Sequence, residues 1–317
     1  MIYTITLNTA VDLTLDVAAF VENSVVEASS VTTLPSGKGI NVARVLRSLG
    51  DRVTAIGLVG QFSRGLFSTV REPGLRTAFV LVSGFTRHNL TIVQTRNGAT
   101  THIRSAGFRV ERRAMLAVEN LLRSRLRKGD FAVFSGSLPP GAPATSYRRL
   151  AAICRRIGSR VAIDASGSPL LASLAAKPSI VKLNRAEFIS TFRLRNDLMD
   201  AEIPGIMAKL LKGGMSLLAV TFGSGGVLVL RSGDHAAVRG KLHFHAEYSG
   251  RKVVGSGDAM LAGLVHGTAI GMDYMDTIRL GVACGAANVI ANRAHPLDRR
   301  LVRSLSGRVE LESVPAA

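Results

Sequence analysis

The sequence predicts an α/β fold built on a largely parallel sheet. Strand-like and helix-like hydrophobic patterns alternate over most of its 317 residues, the order that successive βα units produce. Hydrophobic residues make up 47% of the chain, enough for a sizeable core and too many for global disorder. A length of about 300 residues fits either two small domains or one large α/β domain. There is no internal repeat and no long linker, and one domain over residues 1–317 is the expectation. Aromatic residues are only 5% and there is no Trp, so the core is read as aliphatic.

The elements follow in order. Ile2–Leu7 opens as a strand. Gly37–Gly39 leads into Ile40, Val42, Ala43, Val45, Leu46 and Leu49, a broad helical face that stops at Gly50. Val53–Val59 reads as a strand and Ala114–Leu126 as a helix with Leu116, Leu121, Leu122 and Leu126 on its apolar side. Phe131–Ser135 is a short strand running into the turn Gly136–Gly141. Tyr147–Ile157 is a helix, and Arg160–Asp164 a strand that ends in an acid. Ile180–Leu183 is another strand. Leu217–Thr221 and Gly226–Leu230 form two strands across a Gly-rich turn, and Ala259–Asn292 is helix-rich. Residues 11–35, rich in Val, Thr and Ser, break the rhythm. So do residues 77–105, with strand-like runs at Ala78–Val82 and Leu90–Gln94. Both are expected to be antiparallel insertions, either a small sheet that lids an active site or an edge extension of the main sheet.

Lys and Arg number 40 against 22 Asp and Glu, a formal charge of +18, so anions are attracted to the whole surface. The basic residues are spread along the chain, and no basic run is interleaved with aromatics as a single-strand platform requires. Helix-turn-helix and zinc-finger spacings are also absent. Small anionic substrates are therefore favoured over nucleic acid. Cys154 and Cys284 lie far apart and outside any CxxC, which predicts two buried reduced thiols. No apolar run reaches transmembrane length and the N-terminus reads as a strand, so no membrane contact and a cytoplasmic location are expected.

Four motifs carry chemistry. In Val254–Gly263, Gly255, Ser256 and Gly257 precede an apolar helix with Asp258 in its first turn. Backbone N–H groups there approach a phosphate closely. Asp258 either caps the helix or takes a proton from a substrate hydroxyl, and the tetrapeptide alone leaves both open. Ser36-Gly37-Lys38-Gly39-Ile40-Asn41 places a cation and an amide at a second helix start. Lys38 suits an anionic substrate group and Asn41 suits sugar hydroxyls, while an ordinary turn and cap has the same composition. Lys182-Leu183-Asn184-Arg185-Ala186-Glu187 puts Asn184 and Glu187 on one helical face, either to organise Mg²⁺ through water or as a cap with its Glu at the third position. Thr221–Gly226 lets a nucleotide lie against a backbone without side chains, or is a plain hairpin turn.

The order of these motifs resembles the ribokinase-like carbohydrate kinases, the phosphofructokinase B family, over essentially the whole chain. Tyr3-Thr4-Ile5-Thr6-Leu7-Asn8-Thr9-Ala10-Val11-Asp12, Thr86-Arg87-His88-Asn89 and Ser135-Gly136-Ser137-Leu138-Pro139-Pro140-Gly141 are similar to the branch holding 1-phosphofructokinase, tagatose-6-phosphate kinase and the minor 6-phosphofructokinase. The resemblance implies a three-layer α/β/α fold with a lid from about residues 11–35 and 77–107, through which many members dimerise. It implies ATP and Mg²⁺, and transfer of the γ-phosphate to a hydroxyl of fructose 1-phosphate, fructose 6-phosphate or tagatose 6-phosphate. Asp258 resembles the family's base, with Gly255, Ser256 and Gly257 forming its anion hole. Asn184 and Glu187 resemble the Mg²⁺ pair. Lys182, Asn184, Thr221, Gly223, Gly226 and Asn288 fall on the nucleotide side. Asp12 and Asn41 resemble sugar-hydroxyl ligands, Lys38, Arg87 and Arg104 would hold the substrate's phosphate, and Gly37, Asn89 and Ser137 complete the substrate side.

Some positions depart from the branch. Ser36 stands where a Gly is usual, and a left-handed backbone there would be strained by about 1–3 kcal/mol. Thr9 and Leu183 replace prolines, and Gln61 and Arg64 replace a Gly-rich stretch. Two rival readings are a kinase of an unphosphorylated sugar or nucleoside, and a non-catalytic nucleotide- or nucleic-acid-binding protein on the same scaffold.

Overall fold

The computed structural model describes residues 1–70, 72–243, 255–291 and 297–316. Of the expected elements, Val254 and Asn292 lie outside the described residues. The chain opens with β1 (Ile2–Thr6), every residue of which is buried. Strands β2 (Ala10–Val17) and β3 (Ala28–Ser36) leave the main body, and α1 (Lys38–Leu49) and β4 (Val53–Gly60) return to it. Next come α2 (Arg64–Phe67), β5 (Leu75–Val82), β6 (Arg87–Gln94) and β7 (Thr100–Arg104). Alternation is then regular through α3 (Arg112–Arg125), β8 (Phe131–Ser135), α4 (Ser146–Ile157), β9 (Arg160–Asp164), α5 (Gly167–Ser173) and β10 (Ile180–Asn184). Helices α6 (Arg185–Phe192) and α7 (Ile203–Leu211) lead to β11 (Leu217–Thr221), β12 (Val227–Arg231) and β13 (Ala236–Lys241). Last are α8 (Ser256–Ile270), α9 (Tyr274–Ala291), α10 (Arg299–Ser306) and β14 (Glu310–Pro315).

Among the described residues, ten strands make the main sheet in the order β14-β13-β12-β11-β10-β9-β8-β1-β4-β5. From β11 to β5 every neighbouring pair is parallel, and β12, β13 and β14 add an antiparallel edge. A parallel sheet needs cover on both faces. Here Ile40, Leu46, Leu261 and Ile278 of α1, α8 and α9 pack on one face. Val118, Leu150, Phe188 and Met207 of α3, α4, α6 and α7 pack on the other. The result is the expected three-layer α/β/α arrangement. Cys154 and Cys284 are buried and unpaired, and burial pushes both thiols up to about 12.

A second sheet of four strands, β3-β2-β6-β7, projects from this body. Its extent corrects the expectation for residues 77–107. Ala78–Val82 belongs to β5 and pairs in parallel with β4 on the main sheet. The reason is its two-faced apolarity: Phe79 packs into one core layer while Ala78 and Val80 pack into the other. Only the part from Arg87 to Arg104 joins β2 and β3. The small sheet is also mixed, because β2 and β6 run parallel. Ser36 is likewise not strained. It ends β3 as an extended residue opposite Ala10, and the left-handed backbone falls on Gly37, at φ 144°. Thr9, in place of proline, is buried and donates its hydroxyl to the Leu58 carbonyl at 2.5 Å.

Helix α8 is seated by a close backbone crossing. A Cβ at Gly263 would lie 2.8 Å from Cα of Gly281 on α9. Gly263→Ala is expected to push the two helices apart and cost about 1–3 kcal/mol in a urea titration. An unchanged midpoint would show that the crossing tolerates a methyl group.

Candidate active site

The polar residues gather at the carboxyl ends of the parallel strands, where α/β sheets open a crevice. β9 ends in Asp164, β10 carries Lys182 and ends in Asn184, and β8 runs into Gly136-Ser137. Two helix starts face them. α1 begins at Lys38 with Asn41 in its first turn, and α8 begins at Ser256 with Asp258 in its first turn. The α1 start lies tight on β1: a Cβ at Gly39 would come within 2.3 Å of Thr6 Oγ1.

Asp258 is 5% exposed. It does not cap α8, because the cap residue is Gly255, in left-handed backbone and without a side-chain bond. Its carboxylate instead accepts a hydrogen bond from Asn41 Nδ2 at 2.9 Å. Burial raises its pKa to about 6, and the negative charge of Asp164 adds to the rise. Lys38, Lys182 and the Asn41 bond hold it from going further.

Asp164 is fully buried, and two lysines reach it. Lys38 Nζ lies 3.2 Å from Oδ1 and Lys182 Nζ 3.2 Å from Oδ2. Burial alone would push this carboxyl up, but the two ammonium groups hold it below the usual carboxylate range. Lys38 is held well above its ordinary value, chiefly by Asp164. Lys182 also lies beneath the α8 turn, where a Cβ at Gly257 would stand 2.7 Å from its Nζ. Asp164 was visible in the sequence only as an acid ending a strand; the signal was its place at the carboxyl end of a buried parallel strand.

The expected metal pair forms a capping box. Asn184 Oδ1 accepts from the Glu187 N–H at 2.8 Å, and Glu187 Oε2 accepts from the Asn184 N–H at 3.0 Å. Glu187 Oε1 is left 3.6 Å from Lys38 Nζ. Among the described residues no three His, Cys, Asp or Glu side chains converge on a point that could hold a metal.

A second polar group lies at the junction with the small sheet. Asn89 Nδ2 donates to Asp12 Oδ1 at 2.8 Å from directly opposite on the β2–β6 pair. Arg87 Nη2 donates to the Asn8 carbonyl at 3.1 Å, and Asn8 Nδ2 donates to Ser137 Oγ at 3.1 Å. Burial, and then the charge of nearby Arg104, lower the pKa of Arg87. Arg87 Nε and Asn89 Oδ1 are buried without a hydrogen-bond partner.

The nucleotide-side candidates are placed less tightly. Thr221 ends β11 with its hydroxyl 3.4 Å from the Leu183 carbonyl. Gly223 opens the 3-10 turn of the β11–β12 hairpin. Gly226, at φ 84°, is required by the fold itself: a Cβ would lie 2.2 Å from the Gly240 carbonyl oxygen. Asn288 is buried on α9. Lys38, expected on the substrate's phosphate, has its ammonium on Asp164 and Glu187 instead, beside Asp258.

Fold, motif order and geometry define a class, and sequence comparison names it. Residues 5–295 match the model of the pfkB family carbohydrate kinases, and the chain belongs to that family. It is 34% identical to the 1-phosphofructokinase of Rhodobacter capsulatus, over 99% of this chain and 98% of that one. It is 30% identical to the D-tagatose-1-phosphate kinase of Bacillus licheniformis, over 90% and 91%. The fold superposes on phosphofructokinase-2 from Escherichia coli, solved in complex with substrates and products, with a TM-score of 0.87, 24% identity, and coverage of 96% and 98%.

The raised Asp258 pKa has a sign for stability. Between the ordinary carboxylate range and about 6, the folded state holds a proton that the unfolded state has released. That contribution is complete below pH 4 and is lost as pH rises through 6. Asp258→Asn is therefore expected to melt higher than wild type at pH 7.5, by the equivalent of about 2–3 kcal/mol at most, and to show no advantage at pH 4. Equal melting temperatures at pH 7.5 would mean that the buried carboxylate is fully compensated.

Proposed function

We propose that this protein is an ATP-dependent kinase that phosphorylates a ketohexose monophosphate, with fructose 1-phosphate the first candidate, to give a bisphosphate. The observation that carries this reading is Asp258: a buried, non-capping carboxylate at a helix start, with two ammonium groups beside it. A base poised near neutral pH suits removal of a proton from a sugar hydroxyl as it attacks. Backbone N–H groups of Gly255, Ser256 and Gly257, with Lys182 beneath them, suit the charge on a transferring phosphoryl group. Arg87 and Arg104, two cations kept close together, suit the phosphate the substrate already carries. A neutral sugar would leave that pair unmatched. Asp12, Asn41, Asn89 and Ser137 suit the sugar hydroxyls, and Gly37 lets α1 approach them. Thr221, Gly223, Gly226 and Asn288 remain the candidates for the nucleotide side. The relatives named above for ketohexose 1-phosphates favour that ester over a 6-phosphate.

The residues present fit Mg²⁺ only as an ion carried by nucleotide phosphates and water, with Glu187 Oε1, the oxygen outside the capping box and 3.6 Å from Lys38 Nζ, and Asn184 beside it. Bound there, the ion would offset phosphate charge. The small sheet is read as the lid and also as the contact of a homodimer. Registers place Val31, Leu13, Leu15, Leu90 and Ile103 on one of its faces, and Val31 and Ile103 are 61% and 51% exposed. A second copy is the occupant favoured, since the polar candidates Asp12, Asn89 and Arg104 share the opposite face. A cytoplasmic location, where ATP is available and thiols stay reduced, accompanies this reading; no described helix is long and apolar enough to cross a membrane.

ADP release with Mg-ATP on fructose 1-phosphate, fructose 6-phosphate, tagatose 6-phosphate, fructose and ribose tests the activity. Turnover on a phosphosugar is expected, reduced about 10²–10⁴-fold in Asp258→Asn. Silence on all five, or an Asp258→Asn variant that turns over normally, would overturn it. For the dimer, Val31→Asp with Ile103→Asp is expected to halve the mass seen by light scattering. A monomeric wild type would refute that contact.

A further inference from the structure

We propose that Asp164 is a positioning residue for phosphoryl transfer: one buried carboxylate that fixes both Lys38 and Lys182 beside the start of α8. The inference rests on the kinase reading above, and it assigns a role to a group that reading does not use. Asp164 ends β9 in the middle of the parallel sheet, between β8 and β10. Each of its oxygens serves one lysine, at 3.2 Å. The two lysines come from different parts of the chain, Lys38 from the Gly37–Gly39 turn that opens α1 and Lys182 from β10.

Their situations differ. Lys182 is 4% exposed and wedged under Gly257, so its ammonium needs a buried counter-charge to stay there. Lys38 has a side chain 38% exposed on a flexible four-carbon stem, and among the described residues its ion pairs with Asp164 and Glu187 choose its direction. Asp164 thus brings two cations to the same helix start without touching a reacting atom itself. Among the described residues, the groups that face Asp258 are Asp164 from β9, Lys182 from β10, and Lys38 and Asn41 from α1. Of these, Asp164 is the group whose charge opposes ionisation of the base, whereas both lysines and Asn41 favour it.

Opposite effects from two substitutions separate this role from a structural one. Asp164→Asn and Lys38→Met are compared with wild type in kcat, in KM for each substrate, in the pH profile of kcat/KM, and in ADP affinity by calorimetry without metal. Asp164→Asn is expected to lower kcat ~100-fold, to weaken ADP binding, and to move the acid limb to lower pH. Lys38→Met is expected to move the limb to higher pH. Because Asp164→Asn strands Lys182, Asp164→Asn with Lys182→Met is the second variant. It removes the buried pair together, and it is expected to fold and to show the same loss in kcat. A folded Asp164→Asn with kcat within threefold of wild type, or limbs that stay put or move together, would overturn the proposal. ADP affinity unchanged without metal, alongside a raised metal requirement, would overturn it in favour of a metal ligand. A wild type inactive on every phosphosugar would instead remove the kinase reading.

Discussion

A carboxylate shut away from water stays ionised only if cations come to it, and around Asp164 two do. That one ion triad joins the strand end of β9, the middle of β10 and the start of α1, and Lys182 carries it to the underside of α8. The charge of Asp164 then reaches Asp258, which burial has already made reluctant to ionise. The proton affinity of Asp258, the underside of the α8 turn and two ammonium groups are thus tied to one arrangement. The cluster pairs two lysines with Asp164, Glu187 and Asp258, so the +18 surplus of the chain is not concentrated there. It acts as a general field that favours anionic ligands.

The fold makes this arrangement cheap to build. Parallel strands present their carboxyl ends on one side of the sheet, and α1 and α8 both begin there. Glycines at 39, 257 and 263 remove the side chains that would hold α1 off β1, α8 off Lys182 and α8 off α9. The small sheet carries Asp12, Arg87, Asn89 and Arg104 on the face opposite Leu13, Val31 and Ile103.

Much of this was legible in the sequence, for physical reasons. Buried strands such as Phe131–Ser135 and Leu217–Thr221 were found with their observed bounds, because a continuous apolar run between turn residues has few other uses. The Gly-rich starts of α1 and α8 were found because close backbone approach demands glycine. What failed were the features that pattern cannot separate. Ala78–Val82 reads like a lid strand until its pairing with β4 places it on the main sheet, with Phe79 against one core layer and Ala78 and Val80 against the other. Ser36 looked strained because local sequence does not say which residue of the turn takes the left-handed backbone, and Gly37 takes it. Asn184 and Glu187 satisfy a capping box, so their composition could not by itself indicate a metal. Asp164 is not legible as a site residue in the sequence because its partners lie 126 and 18 residues away.

The central claim is that Asp258 is a buried carboxylate with an appetite for a proton near neutral pH. The most direct measurement is a titration of the ligand-free protein labelled with carbon-13 at aspartate carboxyls, followed by nuclear magnetic resonance, with Asp258→Asn to assign the signal. The account predicts one aspartate carbon with a midpoint near 6, absent from the variant. An Asp258 signal already ionised at pH 4 would contradict it.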